Sequence, residues 1–393
     1  MKVPATRVVY SDNVKRGTIL RWAKILESGM VILGKNTKEF EARMASYLGR
    51  KHAVSVSNDT AALELAMRLI DVRGKEVIIP ANGFYSVVTA IDRAGGIPLL
   101  VDIDIENNIN FTASQIEHVI NNRYHIVKAV VLMPCGGVTA TDSLEIREVC
   151  MRNGVYLIGD NAHAIGLELD GDYGLCQPNI RVGSFEDISC MSFYATKVLN
   201  TAEGGMILFD DDRWETEAKC MRNYGRTGDF GESVIIRDGY NWRMTEFHAA
   251  LGCEQIKEID EILENRRKAA ALYSKYWPEK LIRMKFNGIK SNFYKYMAML
   301  PEGVSKSWFK LETEKRDVSM SGDVYDVCIH QQPIYFGRWG MLSFPQAEEF
   351  SKRHVCLPLS EITTEEEVKY TVDVINEVLN RKVSLSPVGR VKK

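Results

Sequence analysis

Lys197 stands in the stretch "SFYATKVLNTAEGG", directly after an apolar run and just before a Gly-Gly pair. Aromatic, hydroxyl and small residues precede it and "MILF" follows, which reads as a strand end, a tight exposed loop and the next strand. Most lysines are solvated surface charges, so this one acquires a role only if other residues supply it. Asp160 ends the apolar run "VYLIGD", and His163 follows closely. A carboxylate at the tip of an apolar strand is costly unless paired; it could cap the next segment or hold a cationic ring nitrogen.

Ser192 adds a hydroxyl at another strand end. "SVSNDTAAL" reads as a strand, a polar turn and a helix beginning near Thr60. A helix N-terminus with a hydroxyl and free N–H groups is a phosphate site, although an N-cap by Asn58 or Asp59 accounts for the same residues with no ligand. "PANGFYSVV" brings Phe84 to a further strand-to-helix turn, as a stacking face or as core. A phosphate turn, a strand-end carboxylate and a strand-end lysine together match the needs of pyridoxal phosphate. The lysine attaches covalently, the acid keeps the pyridine nitrogen protonated, and the helix end holds the phosphate.

These residues need a frame. Between about residues 53 and 211, β-rich runs alternate with helical patterns: "HAVSVS", "EVIIPA", "PLLVDI", "VKAVVLMP", "VYLIGD", "ISCMSF" and "GGMILFD" are separated by segments such as "TAALELAMRLI", "YSVVTAIDRAG" and "DSLEIREVCMRNG". Nearly continuous Val, Ile and Leu imply strands buried on both faces, hence an α/β fold with a largely parallel sheet covered by helices. Ligands in such sheets bind at the carboxyl ends of the strands. A long helical stretch over residues 244–277 then bridges to a smaller domain, and "TTEEEVKYTVDVINEVLN" opens as a helix on Thr and three glutamates. The division is a large domain over 1–255 and a small C-terminal α+β domain over 256–393.

The 393 residues are 45% hydrophobic, enough for a large core, and 50 basic against 52 acidic residues leave a net charge of −2. That balance carries no footprint for nucleic acid or an anionic membrane. Eight scattered cysteines form no C-x-x-C, so neither a zinc knuckle nor a disulfide framework is signalled and no metal is expected. The start has no apolar leader and no window is long enough to span a membrane, so the default is a cytoplasmic protein with reduced thiols. The end, "VSLSPVGRVKK", reads as a frayed tail.

In motif order and over nearly its full length, the chain resembles the DegT/DnrJ/StrS family of pyridoxal-phosphate aminotransferases, many of which aminate keto sugars. The resemblance is carried by "GKNTKEFEARMASYLGRKHAVSVSNDTAAL", "EVIIPANGFYSVVTAIDRAGGIPLLVDID", "YLIGDNAHAIG", "MSFYATKVLNTAEGGMI", "MRNYGR", "GYNWRMTEFHAALGCEQI" and "CLPLSEITTEEEVKYTVDVI". It implies a fold-type-I aminotransferase in which Lys197 is the catalytic lysine and Asp160 partners the pyridine nitrogen. His163 would lie near the cofactor hydroxyl and Phe84 against the ring. Thr60, Ala61 and Ser192 would take the phosphate, and Asn241 would reach the phosphate of the neighbouring subunit in a homodimer with shared sites. Arg243 is placed either on the carboxylate of the amino donor or in a structural ion pair. The implied reaction moves an amino group from glutamate or glutamine to a nucleotide-linked keto sugar or related cyclic ketone, the cofactor passing through its pyridoxamine form.

The chain departs from the family pattern at Asp59, Gly83, Gly159 and "MPCGG" (residues 133–137). Asp59 is unfavourable beside a phosphate unless it points away and caps the helix. The other departures are read as lining or neighbouring the substrate side. Two rival readings stand: a deoxysugar dehydratase-like enzyme, whose relatives carry histidine where this chain has Lys197, and a non-catalytic regulatory paralogue. A nicotinamide enzyme is disfavoured because no G-x-G-x-x-G follows a strand; "GRTGDFG" follows a helical pattern.

Overall fold

The computed structural model describes residues 1–123, 125–171, 179–227, 234–320 and 322–383. The tail from residue 384 and most of "GRTGDFG" lie outside the described residues. The seven β-rich runs become β1 (His52–Val56), β2 (Glu76–Pro80), β3 (Ile97–Val101), β4 (Val127–Leu132), β5 (Tyr156–Asp160), β8 (Ile188–Ser192) and β9 (Gly205–Phe209). Two short strands, β6 (Glu168–Asp170) and β7 (Asn179–Arg181), fall between β5 and β8. The main sheet has the order β1-β9-β8-β5-β4-β2-β3. Every neighbouring pair from β8 to β3 is parallel, and β9 runs antiparallel to both β8 and β1. The carboxyl ends of β1, β2, β5 and β8 therefore share one edge.

Before the sheet come α1 (Asp12–Ser28) and α2 (Lys35–Leu48); α3 (Asp59–Leu69) follows β1 and α4 (Tyr85–Arg93) follows β2. α5 (Ala113–Asn122) and α6 (Ser143–Arg152) lie on the opposite face. Alternation along the strands assigns the layers. Val77 and Ile79 pack with α3 and α4, whereas Ile78, Val130 and Leu132 pack with Ile116, Ile120, Ile146 and Val149 of α5 and α6. Both faces are buried, which is why these strands read as continuous apolar runs.

The predicted single helix over 244–277 is broken. α7 (Asp212–Arg222) follows β9, then α8 (Glu246–Gln255) gives way to a 3₁₀ turn over Ile256–Glu258 before α9 (Ile259–Lys275). Glu258 leaves helical geometry at φ −110° and ψ 9°. The break separates two jobs. Ala249 and Cys253 of α8 pack with Phe40 and Met44 of α2, while Ala269, Ala270 and Tyr273 of α9 enter a second core. The apolar spacing runs through the turn, so periodicity did not reveal it.

The second core lies against an antiparallel sheet of β10 (Ile282–Arg283), β12 (Tyr296–Met299) and β13 (His354–Leu357) and the helix Glu365–Val383. Thr364 and Glu367 form the expected capping box of that helix. β11 (Ile289–Lys290) pairs with β6. The seven described cysteines are free and buried. Among the described residues, no helix is long and apolar enough to cross a membrane.

Candidate active site

A cavity of about 480 Å³ opens at the shared strand edge, lined by Asp59, Thr60, Phe84, Asp160, His163, Ser192 and Lys197 among others. Its base is set by a close backbone approach. Gly205, the first residue of β9, pairs with both Val56 and Ser192. A Cβ there would stand 2.3 Å from the Asn58 carbonyl carbon and 2.6 Å from the Asp59 nitrogen. Only glycine lets the turn after β1 settle beside the end of β8. This is the physical content of the second glycine in "EGG".

Asp160 is 4% exposed, and its Oδ1 accepts a long hydrogen bond of 3.4 Å from the Ala162 N–H. Burial raises its pKa, and the Lys197 amine opposes that rise. The Lys197 amine itself is lowered to about 8, with burial acting against the attraction of Asp59 and Asp160. The amine lies 4.9 Å from the centre of the Tyr294 ring. Its loop is fixed by the Lys197 N–H on the Tyr194 carbonyl at 2.9 Å and by the Thr201 N–H on the Phe193 carbonyl at 2.8 Å.

The structure separates the two cap candidates, Asn58 and Asp59. Asn58 is the cap of α3, its Oδ1 accepting from the Ala61 N–H at 2.9 Å. Asp59 does not turn away; it lines the cavity together with Asp160, and the two carboxyls act on one another. Burial first, and then the charge of Asp160, raises its pKa well above the ordinary carboxylate range.

The His163 ring stacks with Tyr294 at 4.5 Å and with Tyr325 at 5.8 Å. The Gly136 N–H donates to its Nδ1 at 3.3 Å, which leaves the ring proton on Nε2. Burial, reinforced by the Lys197 and Lys295 amines, holds the ring neutral. Ser192, Thr60 and Phe84 line the same cavity, Phe84 being 45% exposed immediately before α4.

Three predicted residues are not brought into this cavity. Ala61 is buried within α3 and its N–H is spent on Asn58. Asn241 is exposed and bridged through its backbone to Asn223. Arg243 donates to Asn223 Oδ1 at 2.8 Å and lies 4.8 Å over the Tyr224 ring.

The remaining departures neighbour the cavity rather than line it. A Cβ at Gly83 would lie 2.8 Å from the Met133 sulfur, so Gly83 and the first residue of "MPCGG" form one packing unit. A side chain at Gly159 would meet the Asn161 amide and the Glu186 carboxyl, so its space is already filled by Glu186. Gly136 and Gly137 hold the segment around residues 291–297 against the sheet. The Lys295 N–H donates to the Gly136 carbonyl at 2.8 Å, and the Ser291 hydroxyl to that of Gly137 at 2.7 Å.

Sequence reasoning missed Tyr294, Lys295 and Tyr325, which wall the cavity from the C-terminal part of the chain. The lysine inside "SNFYKYMAML", a run otherwise fit for a buried strand, was the available signal.

Known proteins match this chain over nearly its whole length. The GDP-perosamine synthase of Vibrio cholerae is 28% identical over 363 residues, covering 90% of this chain and 94% of that protein. The crystal structure of the aminotransferase TlmJ from Streptoalloteichus hindustanus superposes with a TM-score of 0.83 at 26% identity, covering 97% of this chain and all of that one. NtdA from Bacillus subtilis, solved with bound cofactor PMP, superposes with a TM-score of 0.84 at 20% identity, covering 96% of this chain and 85% of that one. The model of the DegT/DnrJ/EryC1/StrS aminotransferase family matches residues 14–376, and the chain belongs to that family.

Proposed function

We propose that the chain is a pyridoxal-phosphate aminotransferase that moves an amino group from glutamate or glutamine to a nucleotide-linked keto sugar. The observation that carries this reading is a half-buried lysine whose amine, held near pKa 8, shares a cavity with a strand-end acid and two hydroxyls. The set fits the cofactor. Thr60, Ser192 and the first turn of α3 would hold the phosphate, Asp160 would keep the ring nitrogen protonated, and Phe84 would cover a ring face. His163, neutral and pinned by Gly136, would lie beside the ring hydroxyl. Bound there, the cofactor supplies an electron sink to the carbon that gains or loses the amine.

Lys197 would form the covalent link in the resting enzyme. Once free, its amine is neutral in a substantial fraction of molecules near pH 8, so Nζ can accept a proton from the substrate carbon and return it. Lys295 adds a cation to the cavity wall with no ion-pair partner among the described residues, suited to a carboxylate or phosphate of a substrate. The sugar class is supported by the name of the Vibrio cholerae relative.

Borohydride reduction with pyridoxal phosphate, followed by peptide mapping, should place the pyridoxyl group on Lys197, and Lys197→Ala should abolish turnover with the fold intact. Labelling of another lysine rejects the assignment. Adding L-glutamate and L-glutamine separately should convert the cofactor to its amine form with one of them; conversion by neither rejects the donor class.

The same reading includes a homodimer with shared sites. It is supported by the exposed position of Asn241 outside its own cavity and by Ile19, Leu20 and Leu26 of α1, each more than 60% exposed. Co-expressed Lys197→Ala and Asn241→Asp chains should recover about a quarter of sites under two-fold pairing. Activity no higher than the parents, with hybrids verified by tags, rejects the sharing.

A further inference from the structure

Asp59 is unexplained by the function just proposed. It stands in the turn assigned to a phosphate, where a second anion would weaken binding. The helix cap is already made by Asn58, so capping does not account for it. Asp59 lines the cavity with Asp160, the two carboxyls act on one another, and Asp59 Oδ1 is buried with no hydrogen-bond partner. The cation that acts on the pair is the Lys197 amine, from the loop after β8. The Cys190 thiol and the Tyr325 hydroxyl also feel the carboxyls, and burial raises the pKa of both, so neither adds charge near neutral pH.

We propose that Asp59 is a positioning residue that stays uncharged and donates its hydroxyl proton to Asp160, turning Asp160 toward the cofactor's ring nitrogen. Two carboxyls in hydrogen-bond contact share a proton because a second ionisation would place like charges together in a poorly solvated site. With Asp59 neutral, the phosphate meets no opposing charge. Asp160 has two oxygens: one accepts from Asp59, and the other is left for the ring nitrogen's proton. An ionised Asp59 would compete for that ring proton instead. The direction in which Asp59 is shifted agrees with this arrangement.

This inference rests on the cofactor reading above, and binding separates the two. The probe is pyridoxamine phosphate, which cannot condense with Lys197, measured by equilibrium dialysis on the full chain. Asp59→Asn keeps a neutral donor and should hold the dissociation constant within about threefold of wild type, whereas Asp59→Ala should weaken it about tenfold or more. With ring-¹⁵N-labelled ligand, the nitrogen shift should stay at its wild-type position in Asp59→Asn and move toward the unprotonated form in Asp59→Ala. Asp59→Ser, which keeps a hydroxyl donor, replaces the asparagine variant if its melt shows misfolding.

Tighter binding by Asp59→Asn than by wild type would mean that Asp59 is an anion, and overturns the proposal. So does an Asp59→Ala chain that matches wild type, or an equal loss in both variants. If the wild-type chain binds no pyridoxamine phosphate at all, the functional reading fails and this inference fails with it.

Discussion

Two acids stand beside the first turns of helices in this chain, and the fold treats them in opposite ways. Glu246 lies at the start of α2, where Gly34 supplies no side-chain cap. Its carboxylate accepts from the N–H groups of Gly34, Asn36 and Thr37 at 2.7–2.9 Å, and from the Asn36 amide and the Thr37 hydroxyl. Burial works to raise its pKa, yet Thr37 and Asn36 hold it below the ordinary value. Asp59 lies at the start of α3 and receives none of this. Its neighbour Asn58 takes the capping bond, and the acid is left against another acid.

The difference separates a carboxylate that builds the fold from one that faces chemistry. Glu246 has donors for both oxygens, so ionisation is what makes it useful. Asp160 receives one long backbone bond, from the Ala162 N–H, and a ligand would supply the pair with further donors. The number of donors aimed at each carboxyl is what separates the two acids chemically.

The largest expected effect comes from breaking the site side of the comparison. Asp160→Asn should lose turnover on the order of 10²-fold or more, since each unit of pKa support for a ring cation is worth about 1.4 kcal/mol. Binding of pyridoxamine phosphate should fall far less, because the phosphate contacts remain. Steady-state rates beside dialysis of the same preparation measure both. Near-normal turnover would mean that Asp160 is only a turn residue.

The structural side should break differently. Glu246→Gln places an amide against five donors and should cost about 2–4 kcal/mol of stability. The pH dependence has a definite sign. The folded pKa of Glu246 lies below the ordinary 4.5, so its contribution is present above 4.5 and is lost as the pH falls through the folded value. Urea melts across acid pH should show wild type and Glu246→Gln converging as the solution is acidified. A constant gap down to low pH would mean that the charge of Glu246 does no stabilising.

Much of this arrangement was legible in the residues. The seven strands stood out because burial on both faces removes polar alternation, and the edge they share brought Thr60, Phe84, Asp160, His163, Ser192 and Lys197 into one cavity. The use of Gly34 was not legible: a Cβ there would lie 2.9 Å from the Glu246 carboxyl carbon, a partner 212 residues away. Nor was the choice between Asn58 and Asp59, since both cap helices and a shift of one residue exchanges the cap for a site group. Tyr294 and Lys295 were missed because a cavity wall contributed by the segment leading into β12 leaves no trace in the spacing of the main sheet.

Glu186 tests whether an unsatisfied buried carboxyl is enough to mark a site, and here the smallest effect is expected. It is 2% exposed, its Oε2 lacks a hydrogen-bond partner, and burial raises its pKa. It does not line the cavity; it fills the space behind Gly159, where the Asn161 amide and the Gly183 N–H donate to Oε1 at 3.1 and 3.2 Å. Glu186→Gln should therefore keep turnover within about twofold and change stability by less than about 1 kcal/mol at pH 5. Its pH trend should run opposite to that of Glu246. The folded pKa is raised, so the acid is tolerated below 4.5, and that advantage is lost as the pH rises through the folded value. Relative to wild type, Glu186→Gln should gain stability from pH 5 toward neutrality, while Glu246→Gln should lose it on rising from acid. A large loss of turnover in Glu186→Gln, or a trend parallel to that of Glu246→Gln, would erase the line between a buried acid that merely fills space and one that serves the site.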